Sequence, residues 1–251
     1  MEFARSYSKN SGNASKGEGM PPGVWTMVNS STHSKEAWSR ELSPMLLGPC
    51  ELYAGPDGRM LTSRTVEAAW QHSKVYPQHV GPNGEPTQEW WEWAKSDWGK
   101  SYEEYASQGK AALRYPMGKD SRTGRSPRPA YSYWEGKHLD YVTARRHIYI
   151  PLYMRAVTQT SPWRRLQEMY DEARAAGDGL RIYDFDGFNP NAAGRTYAAA
   201  LADTTRPFGH SLVLCALLEG VDLGVLDLPV LKIKPMASGD TDADGERTGR
   251  T

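Results

Sequence analysis

Cysteine is scarce in this chain. Cys50 and Cys215 are the only two among 251 residues. They lie far apart, and Cys215 sits inside the apolar run LVLCALL, so neither a disulfide framework nor a cysteine metal site is suggested and a reduced, cytoplasmic setting is expected. Long apolar runs are also missing. The longest, residues 212–218, falls well short of the ~20 residues that cross a bilayer, and the N-terminus has no charged-then-apolar leader pattern, so no membrane partner is expected. An excess of one charge is absent too: 30 Lys+Arg face 30 Asp+Glu. No global field draws the chain toward nucleic acid or anionic lipid, and any polyanion site has to be local. The six histidines, at 33, 72, 79, 138, 147 and 210, share no metal-ligand spacing with each other or with carboxylates, so neither metal nor cofactor is expected. There is no P-loop, GxGxxG, nucleophile elbow or internal repeat. The usable chemistry is carboxylate and cation.

Residues 1–23 and 236–251, rich in Ser, Gly, Asp and Lys with almost no large apolar side chains, cannot offset chain entropy and are expected to be disordered tails. The folded body is then one domain over residues 24–235. Within it the signals are mostly helical, with a few short strands. Residues 24–28 read as a strand, and residues 51–53 and 59–62 as a hairpin around AGPDG. A helix is predicted over RTVEAAWQHSKVY, residues 64–76, stopped by Pro77. Another starts at the N-cap Thr87, and Ser101 with Glu104 forms the capping box of a third. The segment from Thr143 is a helix bent near Pro151, and a further helix opens at Ser161-Pro162 and ends near Gly177. LRIYDFD, residues 180–186, is the best short strand of the second half. Helices over about 191–204 and 207–219 complete a mainly α fold.

The helix of residues 64–76 carries the most useful chemistry. Glu67, Gln71 and Lys74 stand at i, i+4 and i+7 on one stripe, beside an adjoining stripe of Val66, Ala69, Trp70 and Ser73. Such a polar stripe faces either water or a cleft. Asp184 and Asp186 end a strand before the Gly/Asn-rich corner GFNPNAAGR, where side chains are held by a scaffold yet open to ligand. The basic stretch YPMGKDSRTGRSPRP, with Arg114 and Lys119, suits a phosphate clamp, although the same composition is ordinary in solvated loops. Nine Trp and fourteen Tyr against four Phe favour rings with a polar handle, and Trp90 on the TQEWWEWAKSDWGK helix is a candidate to stack a base.

Taken together, LSPMLLGPCEL, a Gly-containing turn and TSRTVEAAWQHSKVY resemble the opening of the NADAR (YbiA-like) family. There a short hairpin leads into a helix patterned Glu-His-x-x-Gln-x-x-Lys. Glu67, Gln71 and Lys74 match three of these positions, and Ala68 replaces the His. SYEEYASQGKAALRYPMGK is similar to the family's Ala/Gly/Lys/Arg segment, and the stretch from RRHIYIPLYM to IYDFDG to its long helical region ending at an Asp-x-x-Trp-Gly motif. GFNPNAAGR is similar to its Gly-Asn-Gly-Arg segment. Either Asp184 or Asp186 stands for the family aspartate, the Trp that follows it in the family is absent, and residues 120–140 read as an insertion relative to the family.

The resemblance, over about residues 42–220, implies a single-domain multihelical YbiA-like fold that hydrolyses an N-glycosidic bond. The substrate is expected to be nucleotide-like: a ribosylamino-pyrimidine phosphate, an ADP-ribosylated base or a modified nucleotide, free or within nucleic acid. Glu67 and Asp184 are the expected catalytic carboxylates. Gln71, Lys74, Trp90, Arg114, Lys119, Asp186, Asn189 and Arg195 are the expected binding residues. Breaking a C1–N bond passes through an oxocarbenium-like state, which calls for a carboxylate near the anomeric carbon and a second within roughly 10 Å. The alternative is a non-catalytic nucleotide or nucleic-acid binder that uses the basic loop and the Trp-rich helix.

Overall fold

The computed structural model describes residues 4–8, 24–108, 128–190 and 194–225. In chain order the first elements are β1 (Ala4–Ser8), β2 (Trp25–Asn29), α1 (Ala37–Arg40), β3 (Cys50–Ala54), β4 (Met60–Ser63) and α2 (Val66–Gln71). β5 (Lys74–Val75), α3 (Gln88–Trp98), α4 (Tyr102–Gln108), β6 (Tyr131–Trp134) and β7 (Lys137–Leu139) follow. The remainder is α5 (Tyr141–Ala144), a π-helical turn (Arg145–Tyr149), α6 (Ile150–Val157), α7 (Ser161–Ala176), β8 (Gly179–Asp184), α8 (Tyr197–Ala202) and α9 (His210–Leu218).

The expectation of a mainly α fold is corrected: helices hold 43% of the described residues and strands 18%, arranged in three small sheets, so the architecture is mixed α/β. The strands not anticipated, β1, β5, β6 and β7, are two to five residues long, and β1 and β5 pair with partners distant in sequence. β8 is the centre of an all-parallel sheet ordered β1-β8-β2. Its core positions Leu180 and Ile182 are fully buried, as expected for a strand covered on its faces. α7 and α9 both pack against β8, and α9 also against β1. α9 buries every residue from His210 to Ala216, so it is a central helix with no solvent stripe. A Cβ at Gly179 would lie 2.6 Å from the ring of Trp25 on β2, so only glycine lets that indole lie across the strand.

β1 also corrects the expected N-terminal tail. Residues 4–8 pair in register with Leu180–Asp184, and Ala4 is part of the same buried cluster that extends to Leu223. The body therefore begins before residue 24. The C-terminal stretch 236–251 lies outside the described residues.

β3 and β4 form the anticipated antiparallel hairpin. The third sheet is β5-β6-β7. β6 and β7 belong to the core, where Trp134 is 1% exposed. They form a tight hairpin in which Glu135 and Gly136 take φ of 49° and 75°, the left-handed pair a type I′ turn requires. The helix predicted to reach residue 76 ends at Gln71 instead. Ser73 Oγ donates to the Trp70 carbonyl at 2.9 Å, and the chain then turns into β5, where Lys74 pairs with Ser132. Val75 is β-branched, and Tyr76 precedes Pro77, a position that disfavours helix.

Several local signals hold. Thr87 caps α3 through its side chain as expected; α2 is capped by Thr65, and α7 by Thr160, one residue ahead of Ser161. Ser101 and Glu104 exchange the two hydrogen bonds of a capping box, and Gly177 closes α7 in the left-handed conformation. The Val66, Ala69, Trp70 and Ser73 stripe is buried. Among the described residues no helix is long and apolar enough to cross a membrane.

Candidate functional site

The parallel sheet delivers β2 and β8 side by side, and the segments leaving their C-terminal ends border a cavity of about 240 Å³. Ser31 to His33 come from the first segment and Asp184 to Asp186 from the second. This is where ligands bind in open parallel sheets. Three further elements close it. α2 contributes Glu67, Trp70 and Gln71, the π-containing helix contributes Tyr141, Arg145 and Tyr149, and the start of α9 contributes Gly209 and His210.

α2 is seated by its own first turn. The backbone N–H groups of Val66 and Glu67 donate to the carbonyls of Leu47 and Pro44 at 2.8 and 3.0 Å, so two donors that a helix start leaves open are satisfied by the loop it packs on. Glu67 is thereby aimed at the cavity. Gln71 Nε2 donates to Glu67 Oε1 at 2.7 Å, and Lys74 Nζ donates to Gln71 Oε1 at 2.5 Å. An ammonium can only donate, so the amide orientation and the direction of the whole chain are set: cation, amide, carboxylate.

Lys74 Nζ also stands 4.6 Å from the Trp70 ring centroid. Trp70 stacks on Tyr141 at 6.0 Å, and the Arg145 guanidinium lies 4.1 Å from the Tyr141 centroid. Tyr141, Arg145 and Tyr149 are spaced by four. In a pure α-helix each step of four drifts by about 40°, and the wider π turn over Arg145–Tyr149 keeps all three on the cavity. Burial, then the charge of Glu67, then Tyr153, Asp184 and Asp186, push the Tyr149 phenol well above its ordinary range. Tyr149 is therefore a neutral hydroxyl surrounded by carboxylates, able to donate a hydrogen bond.

Asp184 is 1% exposed. Its Oδ2 accepts from the Ser211 backbone N–H at 2.9 Å and lies 3.1 Å from His210 Nδ1. His210 Nε2 is 3.0 Å from the Ser30 carbonyl and 2.9 Å from Ser30 Oγ, whose proton goes to the Tyr183 carbonyl at 2.8 Å. A carbonyl only accepts, so a hydrogen bond on that side is donated by Nε2. Asp184 Oδ1 is buried without a hydrogen-bond partner among the described residues.

The structure thus brings Glu67, Gln71, Lys74, Asp184 and Asp186 to one cavity. Asp186 is exposed at its lining and Asp184 is buried. Trp90 is a correction. It is 0% exposed, packs edge-on to Trp91, Trp98 and Tyr133, and donates Nε1–H to the Lys74 carbonyl at 2.9 Å, so it supports the backbone of Lys74 and offers no ring face to a ligand. Arg195 is another. It is exposed, pairs with Asp203 at 2.8 Å and does not line the cavity; nor does the half-buried Asn189. Arg114 and Lys119 lie outside the described residues.

Sequence reasoning missed Trp70 as a wall, Tyr141, Arg145, Tyr149 and His210. Arg145 had one signal: it stands four residues after Tyr141 and three before Ile148, on the apolar face of its helix, where a charged residue calls for an explanation. Among the described residues no group of His, Cys, Asp and Glu is arranged to hold a metal. The chain matches no protein-family model and none of the curated proteins compared with it.

Proposed function

We propose that this cavity hydrolyses the N-glycosidic bond of a nucleotide-like substrate. The supporting observation is the meeting of Glu67, in its hydrogen-bonded chain with Gln71 and Lys74, with Asp184 and Asp186 at one aromatic-walled cavity. A volume of about 240 Å³ lies below the ~300–1,000 Å³ that takes a drug-sized ligand whole. It suits a ribosyl moiety, with the remainder of the substrate projecting outside.

In this reading water attacks C1 and gives a proton to Glu67 as the new C–O bond forms. The C1–N electron pair leaves on nitrogen, which takes its proton from solvent while the Tyr149 hydroxyl, keeping its own, donates a hydrogen bond to it. The carboxylates stabilise the positive charge that spreads over C1 and the ring oxygen. Gln71 holds Glu67 Oε1, so the other oxygen is the one presented to water. The sugar lies along Trp70 and Tyr141.

The alternative, a non-catalytic binder built on the basic loop and the Trp-rich helix, loses one support because Trp90 is buried. The test is to incubate wild type and Glu67→Gln with a ribosylamino-pyrimidine phosphate, ADP-ribosylated DNA and free nucleotides, and to measure released base. Release by wild type that falls at least about a hundredfold in Glu67→Gln is expected. Undiminished release removes Glu67 from the chemistry, and binding without release from any substrate favours the binder.

A further inference from the structure

His210 is 8% exposed at the cavity lining, yet both of its ring nitrogens are turned to the protein. Nε2 lies 3.0 Å from the Ser30 carbonyl and Nδ1 lies 3.1 Å from Asp184 Oδ2. Ser30 Oγ is 2.9 Å from Nε2, which completes a hydroxyl–imidazole–carboxylate series of the kind that activates a serine nucleophile. Here it cannot. Ser30 is fully buried, and its hydroxyl donates to the Tyr183 carbonyl at 2.8 Å, so the series serves the carboxylate at its other end.

Asp184 Oδ2 also accepts from the Ser211 backbone N–H at 2.9 Å, so two groups fix one oxygen, while Oδ1 is buried without a hydrogen-bond partner among the described residues. A buried carboxylate keeps its charge only where donors or a cation support it. The segment that brings His210 to this point is itself tied down. Arg145 Nη1 donates to the carbonyls of Leu201 and Asp203, both at 2.8 Å, and Nη2 donates to that of Arg206. These bonds fasten the chain leaving α8 to the π-helical turn just before Pro207 to His210 reach the cavity.

We propose that His210 is a positioning residue: with a proton at Nδ1 directed to Oδ2, it keeps Asp184 an anion fixed at the cavity wall while positive charge builds on the sugar. This rests on the reading of the cavity as a glycoside-hydrolysing site. A carboxylate held in place beforehand stabilises that charge without reorganising as it forms. The stabilisation arises in the transition state and is absent while the sugar ring is uncharged, so it acts on kcat and leaves KM nearly unchanged.

The test uses two substitutions that each keep one half of the imidazole. Asn places an amide nitrogen where Nδ1 stands, and Gln places one where Nε2 stands. Both variants of the full chain, checked for folding by circular dichroism, are assayed with the ribosylamino-pyrimidine phosphate, the ADP-ribosylated DNA and the free nucleotides. His210→Gln is expected to lower kcat about ten- to a hundredfold, the range of a hydrogen bond to a charged group, with KM within about twofold of wild type. His210→Asn is expected to recover most of that loss. Equal losses in the two variants, or losses carried by KM, make His210 a packing residue and overturn the proposal. Nitrogen-15 NMR of the wild type at neutral pH gives a readout that needs neither variant nor turnover: a proton on Nδ1 is expected, and a bare Nδ1 overturns the proposal. Cleavage that is indifferent to His210→Gln removes this proposal and leaves the hydrolase reading standing. A wild type that cleaves none of the substrates removes the hydrolase reading, and the role of His210 in kcat falls with it.

Discussion

Gly209→Ala puts the Asp184–His210 arrangement under direct strain. Gly209 has φ −72°, so its backbone accepts any residue, and the obstacle is space. A Cβ there would lie 2.3 Å from Asp184 Oδ2, 2.8 Å from Oδ1 and 2.9 Å from Cγ. The carboxylate has to retreat by about 1 Å in a close-packed interior, which stretches its contacts with Ser211 N–H and His210 Nδ1, now 2.9 and 3.1 Å, beyond hydrogen-bonding range. Hydrogen bonds to charged groups contribute about 1.5–3 kcal/mol each, so a loss of about 3–5 kcal/mol is expected. Urea unfolding of wild type, Gly209→Ala, Asp184→Ala and the double variant measures it as a cycle. With the Asp184 side chain gone, Gly209→Ala should cost under about 1 kcal/mol, because the atom it strikes is absent. An equal cost in both backgrounds would refute the argument and place the effect in the helix start itself.

His72 is fully buried, and burial lowers its pKa to about 3, below the ~6.5 of an unfolded chain. Stability from this group is complete above pH 6.5 and lost as pH falls toward 3, because the unfolded chain takes the proton first; at pH 4.5 wild type should have lost about 3 kcal/mol more than His72→Gln. Parallel pH–stability curves for the two proteins would contradict this. Tyr149→Phe removes a hydroxyl set among Glu67, Asp184 and Asp186 and is expected to lower kcat about ten- to a hundredfold, with the far-ultraviolet spectrum unchanged; unaltered turnover excludes the donor role. Trp90→Phe deletes the donor to the Lys74 carbonyl and should reduce stability by about 2–4 kcal/mol while barely changing ribose 5-phosphate affinity. A collapse of affinity in a fully stable protein would restore Trp90 as a stacking surface.

What was legible from residues alone is local. The cap at Thr87 and the Ser101–Glu104 box depend on neighbours within three residues, and the buried stripe of α2 follows from its spacing. Glu67 and Gln71 were placed together because they share one helix face. Lys74 reached the same chain by another route, since it leaves the helix and returns from β5. What stayed hidden is tertiary. β1 pairs with a strand some 176 residues away, and nothing in ARSYS marks that partner. Trp90 and Trp70 look alike in sequence, but one is enclosed by Trp91, Trp98 and Tyr133 while the other forms a cavity wall. Arg145 and His210 owe their importance to carbonyls and a carboxylate contributed by distant elements.

The central claim is that a ribosyl carbon is attacked beside Glu67. It is tested most directly by a crystal structure of Glu67→Gln, which should bind substrate without turning it over, soaked with a ribosylamino-pyrimidine phosphate. The account requires the anomeric carbon within about 4 Å of the substituted side chain at position 67, near-attack distance for a bridging water, with the sugar against Trp70 and Tyr141. An intact ligand bound elsewhere, or one bound in the cavity with its anomeric carbon turned away from position 67, contradicts it.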